Sequence, residues 1–235
     1  MCTLTLGWRV FDDAPVAVAA NRDELLGRPS EPPSVVDGDP SVLAPRDADA
    51  GGTWIGHNEP GVLAAITNRW VDVPGGGERS RGLLVRDVLG AASTHEARGI
   101  VADAVATDAY DGFNLVVAER GGPATPGDPT ALYFEWDGDL RVRRLDPGVH
   151  VVVNVGIDGE YFEPERDPGR GAEQAGNATR LREALRPTPG ESAPAWRSRA
   201  ADALGDHDFG VCVHDPDREF GTRSSSLFTL FADGT

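Results

Sequence analysis

The chain has 235 residues, with 22 basic against 38 acidic side chains, and a formal net charge of −16. All 22 basic residues are arginine, which excludes a Walker A lysine, a kinase-type strand lysine and any lysine Schiff base. The acidic surplus repels phosphate and the arginines do not cluster, so no nucleic-acid partner is expected.

No apolar run approaches the ~18 residues of a membrane helix, and no basic stretch leads into an apolar one at the start. Neither a membrane span nor a secretory signal is therefore expected. The acidic, lysine-free composition suits a halophilic protein, since multimolar salt screens charge to within ~3 Å; a high-GC genome favours the same residues. Cys2 and Cys212 are the two cysteines. They make no disulfide framework and fit a reducing, cytoplasmic compartment.

In chain order, residues 2–11 and 15–20 read as strands about an Asp-Asp-Ala-Pro turn, followed by a Pro- and Asp-rich loop over 27–40. Short strands are expected at 41–44, 53–57 and 61–67. Ser80 caps a helix to about Ala92, and Ser93-Thr-His-Glu96 opens a second helix as a capping box. Strands follow at 113–119, 131–136, 140–145 and 149–155, with a Gly/Pro loop at 121–129. Helices at 171–186 and 195–204 precede closing strands at 209–214 and 226–232. Strand blocks separated by helix pairs predict a single α+β domain over 1–235, with mostly antiparallel sheets and helices outside them.

Gly75-Gly76-Gly77 lacks the strand–GxxxxGK[ST]–helix context of a phosphate loop and reads as a turn. His207, Cys212 and His214 lie close in sequence, but Cys212 in Phe209-Gly-Val-Cys-Val reads as a core thiol, and no metal site is expected. GxSxG and HExxH are absent.

Cys2 stands apart. Methionine aminopeptidases remove Met1 before a small residue, and the mature chain then begins with a thiol and an α-amine on one residue. Their ordinary pKa values, about 8.5 and 7.7–8.0, let either take the other's proton near neutrality. If the first two strands form a hairpin, paired positions sum to about 25 and Asp23 falls opposite Cys2, with a slip of the register left open. Asn21-Arg22-Asp23-Glu24 then lies beside the chain terminus, either as part of a site or as a polar turn with surface ion pairs.

Met1-Cys2-Thr3, Asn21-Arg22-Asp23-Glu24, Gly51-Gly52-Thr53-Trp54-Ile55-Gly56, Ile66-Thr67-Asn68-Arg69, Ser80-Arg81-Gly82, Gly112-Phe113-Asn114-Leu115 and Gly221-Thr222-Arg223-Ser224-Ser225 resemble the blocks of the NRDE family in order. That resemblance, to the family of transport and Golgi organisation proteins, implies an N-terminal nucleophile (Ntn) hydrolase fold. Such a fold is an αββα sandwich of two mostly antiparallel sheets between helix layers. Cysteine members of that superfamily, such as bile salt hydrolases and penicillin V acylases, cleave amides.

By that resemblance the catalytic residues are Cys2, Asp23, Asn68, Asn154 and Arg223, with Asn21 and Arg22 toward the substrate. The implied activity is hydrolysis of a non-peptide acyl amide in a small-molecule substrate, with no cofactor or metal. Arg22 or Arg223 favours the thiolate, and Asn68 with Asn154 or a backbone N–H holds the oxyanion. Asn154 departs from the family's Ser-Asn context. The family's links to haem mobilisation and lipid homeostasis imply a different possibility, a haem- or lipid-trafficking protein on the same fold. A decayed hydrolase site is a third.

Overall fold

A computed structural model describes residues 2–121 and 128–234. The chain begins with β1 (Thr3–Trp8), β2 (Val16–Leu25), β3 (Ser30–Val36), β4 (Val42–Asp47), β5 (Ile55–Asn58) and β6 (Val62–Asn68). Helices α1 (Arg81–Val88) and α2 (Thr94–Thr107) precede β7 (Phe113–Glu119), β8 (Thr130–Trp136), β9 (Leu140–Arg144), β10 (Gly148–Val153), β11 (Gly156–Ile157) and β12 (Glu160–Tyr161). After α3 (Pro168–Ala184) and α4 (Ala193–Gly205) come β13 (His214–Asp215) and β14 (Phe220–Leu230). The α+β class expected from the sequence is the one found. Two seven-stranded sheets have the orders β12-β11-β10-β1-β2-β14-β13 and β3-β4-β5-β6-β7-β8-β9.

Two compact units divide the chain. One holds the residues up to Arg28, Thr67–Trp70 and Asp146–Phe231. In it, Ala17, Ala19, Val149, Val151 and Val153 on one face of the first sheet pack with Ala178 and Leu181 of α3 and Trp196 and Ala200 of α4. Alternation along the strands puts small residues on this face, which lets the helices lie close. The fully buried Trp196 ring satisfies its own donor by bonding Leu185 O at 2.7 Å.

The other unit holds Pro29–Ile66, Val71–Leu145 and the residues from Ala232 on. Leu84, Val85 and Val88 of α1 and Ala97 and Val101 of α2 pack with Val62, Ala64, Leu115 and Val117 of the second sheet. Ser80 caps α1 by accepting from Gly82 N. Ser93 Oγ accepts from Glu96 N at 3.2 Å, while Glu96 Oε2 reaches back to Ala92 N at 2.8 Å. The capping box thus closes one residue further out than its usual reciprocal bond.

Several expectations are corrected. The hairpin register sums to 24, with Thr3 opposite Asn21 and Trp8 opposite Val16. Arg9 leaves the strand with φ 50° and its N–H bonds Pro15 O, closing β1 earlier than residue 11. The loop expected over 27–40 contains β3, a fully exposed strand. Its ladder to β4 is irregular between Glu31 and Ser34, where Pro32 and Pro33 have no N–H to give. The strand expected at 209–214 is mostly a short 3-10 turn, His207–Phe209, and irregular chain. Half-buried Cys212 is therefore not a core thiol on a strand. Of the loop expected at 121–129, residues 122–127 lie outside the described residues, as does Met1.

Candidate active site around Cys2

Every residue expected at the site lies in the first unit, although Asn68 comes from the end of β6, a strand of the second sheet. Continuing the observed register by one step sets Arg22, rather than Asp23, across from Cys2. A one-residue slip exchanges the faces of a strand, so the residue set across from Cys2 carries a guanidinium instead of a carboxylate. Asp23 is still close: the Cys2 thiol lies 3.7 Å from Asp23 O.

Asn154 stands in the turn after β10, freed from the strand in which the sequence places it. Its Oδ1 accepts from Cys2 N at 3.1 Å, and its Nδ2 donates to Asn68 O at 2.7 Å. Trp70 N bonds Asn154 O at 3.2 Å, so the segment after β6 is tied to this turn twice. Asn154 is thus engaged in holding residue 2 and Asn68. Asn68 ends β6 with its side chain exposed, and its carbonyl is the part bonded to Asn154.

Asp23, 5% exposed, accepts from Thr222 Oγ1 at 2.5 Å. That hydroxyl accepts from Val213 N at 2.9 Å, which turns its proton toward Asp23. Thr222 was passed over in the sequence although it stands inside the Gly-Thr-Arg-Ser-Ser block. Gln174 was missed as well: it donates to Asn154 Oδ1 at 2.9 Å from a buried position on α3. Its one signal is that polar residues, Gln174 and Asn177, occupy the buried stripe with Gly171, Ala178 and Leu181.

The arginines divide. Arg22 is 6% exposed, pairs with Glu24 at 3.5 Å, and its charge favours the Cys2 thiolate. Arg223 falls at the irregularity between Thr222 and Ser224 and donates to Leu25 O at 3.5 Å. Asn21, expected toward the substrate, is tied into the surrounding chain. Buried at 3% exposure, it donates to Leu204 O at the end of α4 at 2.9 Å and to Val211 O at 3.1 Å, and accepts from Ser225 Oγ at 2.7 Å.

Burial pushes the Cys2 thiol above the ordinary cysteine range, and the Asp23 carboxylate adds to that, outweighing Arg22. Burial likewise raises the Asp23 carboxyl from 3.8, against the Thr222 hydrogen bond and the charge of Arg170. The thiol therefore keeps its proton near neutrality and needs a base to release it. Among the described residues, no three His, Cys, Asp or Glu side chains converge as a metal site requires, and no helix is long and apolar enough to cross a membrane.

The family model Transport and Golgi organisation 2 matches residues 1–167. The chain belongs to that family. A bovine Transport and Golgi organization protein 2 homolog is 30% identical over 250 residues, covering 95% of this chain and 87% of the relative. The human homolog is 32% identical over 155 residues, 62% of this chain and 55% of its own. Among solved structures, the Caenorhabditis elegans ortholog of N-acylethanolamine-hydrolyzing acid amidase superposes with a TM-score of 0.54 at 13% identity, over 97% of this chain and all of that one. That likeness shows the fold, which is of the Ntn-hydrolase type.

Proposed function

We propose that this protein is a cysteine N-terminal nucleophile hydrolase that cleaves a non-peptide acyl amide through Cys2, exposed by removal of Met1. The observation that carries the proposal is that residue 2 is held at both of the atoms such a reaction uses. Its nitrogen is bonded to Asn154 Oδ1 at 3.1 Å, and its sulfur lies 3.7 Å from Asp23 O.

With Met1 gone, that nitrogen is a primary amine whose lone pair takes the thiol proton. The sulfur attacks the amide carbonyl carbon, and the ammonium then returns the proton to the leaving amine as the C–N bond breaks. Water, activated by the same amine, opens the thioester and restores the thiol. Asp23 favours the protonated amine, Arg22 favours the thiolate, and Asn68 or a backbone N–H meets the developing oxyanion. Such a donor is worth about 3–4 kcal/mol where measured. Apart from the substrate and that water, every group used belongs to the chain. An acyl amide is also the kind of bond named for the structural neighbour, an N-acylethanolamine-hydrolyzing amidase.

The test is intact mass after incubation with a panel of acyl amides and activated acyl esters in high salt, which screens the −16 charge. A protein lacking Met1 that gains one acyl group, and does not do so as Cys2→Ala, supports the proposal. Absence of any adduct, with stoichiometric haem binding that survives Cys2→Ala, replaces it with a trafficking role. A natively produced chain that retains Met1 removes the amine mechanism.

A further inference from the structure

Gln174 is 1% exposed and lies behind Asn154. Its Oε1 accepts from Val155 N at 3.2 Å, and its Nε2 donates to Asn154 Oδ1 at 2.9 Å. A backbone N–H only donates, so Oε1 must face Val155 and Nε2 must face Asn154. One orientation of Asn154 remains: Oδ1 toward Gln174 and Cys2 N, Nδ2 toward Asn68 O. Turning either amide over sets donor against donor and carbonyl against carbonyl, at a cost the buried site cannot relieve with water.

We propose that Gln174 is a positioning residue, carrying the polarity of the Val155 N–H through two carboxamides so that the Cys2 nitrogen always meets an acceptor. Its catalytic meaning rests on the hydrolase reading; its geometry does not. An acceptor at that place binds one N–H of the free amine and leaves the lone pair to turn toward the thiol. A donor there would occupy the lone pair itself, and the base would be lost.

Gln174→Glu makes this testable because it keeps the shape and the acceptor for Val155 N–H. Burial raises a carboxyl's pKa. At low pH the acid O–H can donate to Asn154 as Nε2 does; once ionised, the group only accepts, and Asn154 must invert. The other ionisable groups near Gln174 are Arg170 and Glu173 on α3 and Cys212, His214 and Asp215, which line a cleft of about 260 Å³ with it. All of them are common to native and variant chains, and in the variant they set the pH at which the new carboxyl ionises.

The experiment is iodoacetamide alkylation of Cys2 across pH, on chains released with Cys2 first, followed by peptide mapping. The variant is expected to match the native rate at low pH and to fall behind by about tenfold as the new carboxyl ionises, the size of one lost buried hydrogen bond. A ratio that stays flat across pH overturns the proposal. Cys212, on the same cleft, reports loosening: if its labelling rises together with the change at Cys2, Gln174 only packs, and the proposal is likewise overturned. Should Gln174→Glu not fold, Gln174→Met is expected to slow Cys2 about tenfold at every pH with Cys212 unchanged, and an unchanged Cys2 rate overturns the proposal. Because alkylation needs no substrate, a chain that forms no acyl adduct but shows the pH-dependent ratio loses the hydrolase reading and keeps this one.

Discussion

At Gly52 a Cβ would stand 2.2 Å from the carbonyl carbon of Gly82, and Thr53 N bonds Gly82 O at 3.0 Å, so two family blocks meet backbone to backbone. Around Cys2 the contacts run through side chains instead: Thr222 of one block reaches Asp23 of another, while Asn154 and Gln174, which lie in none of the blocks, hold residue 2 and each other. The first region uses the absence of side chains to seat the start of α1. The second uses buried amides and a hydroxyl to orient one residue. Sequence blocks of equal prominence therefore do unequal work, and substitution separates them by what fails.

The largest expected effect is at the first region. Gly52→Ala must push the α1 start away, and overpacking of backbone on backbone costs about 3 kcal/mol. For a chain of this size that is a fall of about 6–12 °C in Tm. Calorimetry checks the fall, and the alkylation rate of Cys2 in the folded fraction is expected to stay native. A variant as stable as the native chain would mean that the two blocks do not meet this closely.

A smaller effect sharpens the contrast within the Cys2 unit itself, between two buried asparagines. Asn21→Ala strips donors from Leu204 O and Val211 O, a loss of about 2–3 kcal/mol, with Cys2 alkylation unchanged. Asn154→Ala strips the acceptor of Cys2 N and the donor of Asn68 O, with a similar cost in denaturant unfolding but a changed Cys2 reactivity as well. If both variants alter Cys2 alike, Asn21 belongs to the site after all.

That pair also shows how far the sequence could be read. Cys2, Asp23 and the hairpin joining them were legible because strand periodicity and the family blocks are local signals. The register was missed by one residue because the turn is closed by Arg9 at φ 50°, a conformation that an arginine does not advertise. Asn21 and Asn154 could not be told apart, since the difference lies in which carbonyls reach them across 183 and 86 residues of chain. Beyond its place on the buried stripe of α3, Gln174 gave no signal for the same reason: its partner is 20 residues away, in a turn that the sequence places inside a strand.

The smallest effect concerns Asp23, whose carboxyl is held above its ordinary 3.8 chiefly by burial. Just above that pH an unfolded chain has released the proton while the folded chain retains it. The unfolded state then binds fewer protons, so folding stability falls as pH rises through the window between the two values and levels off beyond the folded one. Asp23→Asn keeps an acceptor for Thr222 Oγ1 and has no proton to lose, so this decline should disappear from its urea-unfolding free energies measured across pH. The difference between native and variant curves should slope downward from about pH 4 and then run flat. If Asp23 acts only as a strut, like Asn21, Cys2 alkylation in this variant stays native; if it orients the nucleophilic residue, alkylation slows while the protein remains folded. A difference curve with no slope would instead mean that Asp23 titrates as an exposed carboxyl does, and the likeness between the Asp23 and Asn21 positions would lose its basis in burial.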